Sequence, residues 1–194
     1  LVSLGMQMRQ HEQPESRPLL EERGKLAVEL SRQVGDERTL VQSLVNLGNV
    51  HVLSGFPRTG FQWLMEAYDR AAGLGDERLF LMPLWVATEI MLDDAPAVAV
   101  EQLDDVIDMA RRVGNTHIEA HALGTKTAAL ARLGEFDAAL RLGPQALATA
   151  EASDSVIKRA DVNLLFGMAL LEMGRLRPGI QHLTRGTELA LSVN

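Results

Sequence analysis

The chain has 194 residues, 46 % of them hydrophobic, and a net charge of −7 with acidic and basic residues intermixed. No basic stripe is present to neutralise a phosphate backbone, which argues against direct nucleic-acid binding, and no apolar run approaches the roughly 20 residues needed to cross a bilayer. The absence of cysteine excludes disulfides and thiolate chemistry and is compatible with a reducing cytoplasm, the expected location.

Leu1 opens the sequence in mid-pattern, so the chain reads as a fragment of a longer protein. Leu1, Leu4 and Met8 stand at helical spacing, which predicts a helix to about Gln13. A polar loop with Pro14 and Pro18 follows. Leu19, Leu26, Ala27, Leu30 and Val34 then mark the apolar face of a second helix that ends at Gly35. From here the chain repeats itself. Residues 35–38 and 75–78 are both Gly-Asp-Glu-Arg, and Gly114-Asn115 and Ser153-Asp154 recur at the same interval of about forty. Each corner has a physical logic. Glycine takes the left-handed conformation that closes one helix, and the next residue (Asp36, Asp76, Asn115) caps the free N–H groups of the following one.

Between corners the sequence predicts paired helices at about 37–54 and 58–73, 77–92 and 96–112, 116–133 and 136–151, and 155–173 and 176–192. Gly55, Asp94, Gly134 and Gly174 mark the turn inside each pair. No period-2 segment flanked by hairpin turns is found, so the expected class is all-α. The units fall at about 1–35, 36–75, 76–114, 115–153 and 154–194, forming a single domain of about five helix pairs. Small residues recur at one phase: Gly48, Ala87 and Gly167 in first helices, then Gly60, Ala99, Ala139 and Gly179 in second helices. A helical glycine costs up to ~1 kcal/mol against alanine, so close helix–helix approach is the expected reason.

Leu47-Gly48, a small residue twelve later at Gly60, then Leu64 and Ala67, resemble the tetratricopeptide repeat (TPR). The units here are somewhat longer than that family's. Their length and Gly-Asp corners are similar to the repeats of large bacterial LuxR-type and antibiotic-regulatory ATPase transcriptional regulators. The resemblance implies a right-handed α-α superhelix whose first helices line a concave groove. Carried over by phase, the groove would be lined by Gln42, Val45, Asn46 and Asn49, then Leu81, Leu84, Trp85 and Thr88, then His121, Thr125 and Arg132, with Asp161 and Met168 in the last unit. Val45 and Gln42 stand where a carboxylate clamp would carry a basic side chain. The groove is therefore expected to be largely apolar with a few polar points, Asn46 and Asn49 among them.

These features lead to a non-catalytic module that binds a protein or peptide partner or a small effector, without cofactor, in the service of a regulator. An alternative is a homo-oligomerisation scaffold, a homodimer built on the apolar end helix with Leu183, Leu189, Ala190 and Val193. A remote alternative is a metal-dependent enzyme using His117 and His121, which share a helix face at i and i+4. Glu119 is two residues after the first histidine, not directly after it as the zinc-protease pattern requires. Neither a Gly-x-Ser-x-Gly elbow nor a phosphate-binding loop is present.

Overall fold

The computed structural model describes residues 16–193, and every regular element among them is an α-helix. The helices are α1 (Ser16–Val34), α2 (Glu37–Leu53), α3 (Pro57–Leu74), α4 (Glu77–Asp94), α5 (Pro96–Val113), α6 (Thr116–Arg132), α7 (Phe136–Glu151), α8 (Val156–Glu172) and α9 (Leu176–Leu191). The expected helix before Gln13 lies outside the described residues. The chain divides into two compact units, Leu1–Ile90 and Met91–Asn194. The fold is a tandem array of helix pairs of the TPR-like class, as the forty-residue period requires.

The corners form as the sequence dictates. Gly35, Gly75 and Gly114 have φ of 75°, 65° and 71°, a region in which the described chain has only glycine. Asp36 then accepts from the N–H groups of Arg38 and Thr39 at 3.1 and 3.2 Å. Asp76 accepts from Arg78 N at 3.0 Å, and Asn115 from Ile118 N at 3.0 Å. The fourth corner differs. Ala152 keeps right-handed geometry and Ser153 Oγ donates to Ala150 O at 2.7 Å. The cap of α8 is Ser155, one residue after Asp154, accepting from Lys158 N at 3.3 Å.

In the first unit the two copies of Gly-Asp-Glu-Arg are joined. Arg38 Nη1 donates to Asp76 Oδ2 at 2.6 Å. Hydrogen bonds from Thr39 hold the Asp36 carboxyl below its ordinary value, and the Arg38 guanidinium does the same for Asp76. Both folded values are depressed, so this contribution is present above the unfolded aspartate range and is lost as pH falls through the folded values. We expect the urea midpoint of Arg38→Ala to lie below wild type at neutral pH, with the gap closing once both aspartates are protonated. A gap that stays constant through acid would show that Arg38 acts by packing alone.

Leu40, Leu44, Leu47, Leu64 and Ala67 are fully buried in the first unit. Between α2 and α3 the small residues meet: a Cβ on Gly48 would stand 3.1 Å from Gly60 O, and one on Gly60 would stand 2.7 Å from Gly48 O. In the second unit Gly167 and Gly179 repeat this reciprocal contact between α8 and α9 at 3.0 and 3.1 Å. Its core centres on Ala131, Ala139, Phe166, Ala169 and Leu170, with Gly143 leaving room for the Phe166 ring. Pro83 and Pro144 sit inside α4 and α7, which continue through them although each proline lacks an N–H.

Candidate functional site

On α2 the side chains of Gln42 and Asn46 are exposed, one turn apart, and Gln42 Nε2 donates to Asn46 Oδ1 at 3.1 Å. Asn49 continues the row. It is half-buried, and its Oδ1 is sheltered without a hydrogen-bond partner. Val45 is buried beneath them. On α4, Leu81, Trp85 and Thr88 are buried, Thr88 Oγ1 donates to Leu84 O at 2.8 Å, and Leu84 is half-buried. Trp85 thus serves the packing of the unit.

In the second unit Arg132 is exposed and Met168 half-buried, whereas His121 and Thr125 lie inside. The accessible expected groove residues are therefore Gln42, Asn46 and Arg132, with Asn49, Leu84 and Met168 partly so. The others, Val45, Leu81, Trp85, Thr88, His121 and Thr125, are buried. The repeat phase alone does not tell a side chain that reaches solvent from one packed beneath the same helix.

His121 belongs to a buried polar seam between α6 and α8. Its Nδ1 lies 3.8 Å from Asp161 Oδ2, and Lys158 Nζ approaches the same oxygen at 3.5 Å. The Asp161 side chain is 0 % exposed. Beside it, Asn163 Nδ2 donates to Arg159 O at 2.7 Å, which leaves Asn163 Oδ1 to face His182 Nδ1 at 3.0 Å. The His182 ring stands edge-on to Phe166, and burial pushes its pKa down from the ordinary 6.5. His117 is exposed while His121 is inside, so the two histidines do not converge. Among the described residues no three His, Asp or Glu side chains gather as a metal site.

Sequence reasoning missed a charge network in the first unit. Arg32 reaches Glu66 at 2.9 Å, Glu66 meets Arg70 Nε at 3.0 Å, and Arg70 Nη1 reaches Glu37 at 3.0 Å. It ties α1, α3 and α2 together, and only the i,i+4 pair Glu66–Arg70 was visible in the sequence. Next to it a shallow depression along α3 is lined by Phe61, Gln62, Met65 and Asp69. Its wide mouth suits a partner's side chain better than an enclosed small molecule.

No protein-family model matches the chain, and no curated protein matches it. Solved structures do. Two crystal structures of a Podosopora anserina protein, provisionally assigned as a kinesin light chain with nearly identical TPR-like repeats, superpose with TM-scores of 0.69 and 0.66. They share 13 % and 14 % identity with this chain over its whole length, and 95 % and 96 % of their own chains are covered. BtubC (BKLC) from P. vanneervenii superposes with a TM-score of 0.67 at 17 % identity, over 92 % of this chain and 74 % of that one. At such identities the likeness is one of fold. It bears out the TPR-like class.

Proposed function

We propose that the chain is a non-catalytic interaction module that holds a segment of a protein partner against the polar face of α2. We further assign it to a bacterial transcription regulator, as the docking or sensing part. The observation that carries the docking reading is the amide row Gln42–Asn46–Asn49. Asn49 Oδ1 is an acceptor with no bond to satisfy it, and such groups are rare unless something else completes them. A side-chain rotation would offer it to a backbone N–H, and Asn46 supplies both donor and acceptor to the same peptide. The regulator assignment rests on the forty-residue period with Gly-Asp corners. A protein segment is preferred to a small effector because Gln42 and Asn46 stand exposed on the surface of α2 rather than inside an enclosed pocket.

Peptides selected from a random library on the wild-type protein test this reading. Binders that lose at least about tenfold in affinity (about 1.4 kcal/mol) for the Asn46→Ala/Asn49→Ala variant support it. Binders indifferent to that variant would move the site elsewhere.

A further inference from the structure

Two parallel stripes of α3 border the depression on that helix. Phe61, Met65 and Asp69 form one, at i, i+4 and i+8, and Gln62, Glu66 and Arg70 form the other. The charges of the second stripe are already engaged. Arg32 Nη2 donates to both Glu66 oxygens at 2.9 and 3.0 Å, and Arg70 Nε donates to the same carboxylate at 3.0 Å. Arg70 Nη1 donates to both Glu37 oxygens at 3.1 and 3.0 Å. Two guanidiniums and two carboxylates thus answer one another. Asp69 differs: it is exposed, and no group among the described residues pairs with it.

The repeat indicates what belongs beside this carboxylate. Gly60, Ala99 and Gly179 stand at one phase of their helices, and nine residues after each comes an acid: Asp69, Asp108 and Glu188. The remaining second helix with that phase, α7, carries Ala148 there. In the second unit both acids meet an arginine of their own helix. Arg111 Nη1 lies 3.5 Å from Asp108 Oδ1, and Arg185 Nη1 lies 3.9 Å from Glu188 Oε2. On α3 the place of Arg111 is held by Ala72 and the place of Arg185 by Glu66. The carboxylate is kept, and both arginines that would answer it are replaced.

The rest of the stripe suits the same side chain. Phe61 and Met65 are half-buried, so each offers apolar surface at the rim. They precede Asp69 by about 12 Å and about 6 Å along the helix axis. An arginine laid along the stripe covers Met65 with its methylenes and brings its planar fork to the Asp69 carboxylate. Phe61 is left for the partner residue next to it. A lysine ammonium, compact and strongly hydrated, gains less from such a surface. The net charge of −7 also favours the approach of a cationic partner.

We propose that the depression on α3 receives an arginine side chain of a protein partner, with its guanidinium on Asp69 and its stem on Met65. It uses none of the α2 amides and stands or falls independently of them.

Methionine-methyl NMR of the whole chain tests this, with the Met65 signal assigned by its loss in Met65→Leu and acetyl-arginine methylamide as the probe. A saturable shift of the Met65 signal is expected, with a dissociation constant at or below about 10 mM. Asp69→Asn should weaken it at least about threefold. Ala72→Arg, at an exposed position of the same helix, should abolish it by restoring the pairing that Asp108 has with Arg111. The uncharged isostere acetyl-citrulline methylamide should leave the signal in place. The proposal is overturned if Met65 shows no saturable shift up to about 50 mM probe, or if the citrulline or lysine analogue shifts it equally. A wild-type response from either Asp69→Asn or Ala72→Arg overturns it as well.

Discussion

Asp161→Ala is expected to destabilise the second unit by about 3 kcal/mol, the low end of the range for removing one member of a buried charged pair. The Asp161 carboxylate is inaccessible and lies between His121 and Lys158, whose side chains are 2 % and 11 % exposed. Removing the aspartate takes away the buried carboxylate that faces both groups and opens a gap between α6 and α8. Asp161→Asn keeps the volume and removes only the charge, so a smaller loss is expected. The tryptophans, Trp63 and Trp85, both belong to the first unit. Tryptophan fluorescence therefore follows that unit while circular dichroism follows both. In urea the Asp161→Ala circular-dichroism transition should move to lower concentration and begin ahead of the fluorescence change. Coincident transitions at the wild-type midpoint would show that the seam carries little stability.

That seam also marks where reading the sequence runs out. The period made the helix pairs legible, because Gly35, Gly75 and Gly114 and the caps after them act locally and need no tertiary knowledge. Glycines at one phase identified the close helix contacts, which the reciprocal approach of Gly48 and Gly60 bears out. Side-chain direction within a first helix was less legible. His121 and Gln42 stand at equivalent repeat positions, yet Gln42 is exposed and His121 is 2 % exposed. What separates them is the neighbouring helix: His121 packs beside Asp161 of α8, 3.8 Å from its carboxylate, and nothing within α6 encodes that. The Arg38–Asp76 bond was equally out of reach, although the repeated Gly-Asp-Glu-Arg contained both partners. Pro83 and Pro144 are the reverse case, local breakers that tertiary packing overrides.

The glycine contacts permit a prediction whose sign separates packing from propensity. Gly60→Val is expected to cost about 3 kcal/mol, the upper range for overpacking a well-filled contact. A Cβ there would already stand 2.5 Å from Val52 Cγ2 and 2.7 Å from Gly48 O. The second is backbone and cannot turn aside, so α2 and α3 must separate before the two γ-methyls are accommodated. Gly48→Ala should cost less, since the nearest atom to its Cβ is the Leu64 side chain at 2.8 Å and the carbonyl of Gly60 stands off at 3.1 Å. Gly73, near the end of α3, has nothing within 4 Å of an added Cβ and no positive φ. Gly73→Ala should therefore stabilise the helix by about 0.5–1 kcal/mol through propensity alone. Thermal or urea unfolding of the three variants reads the contrast. If Gly60→Val and Gly73→Ala shifted stability in the same direction, close approach would not be the reason for glycine at position 60. The TPR-like pairing of α2 with α3 would then rest on its leucines alone.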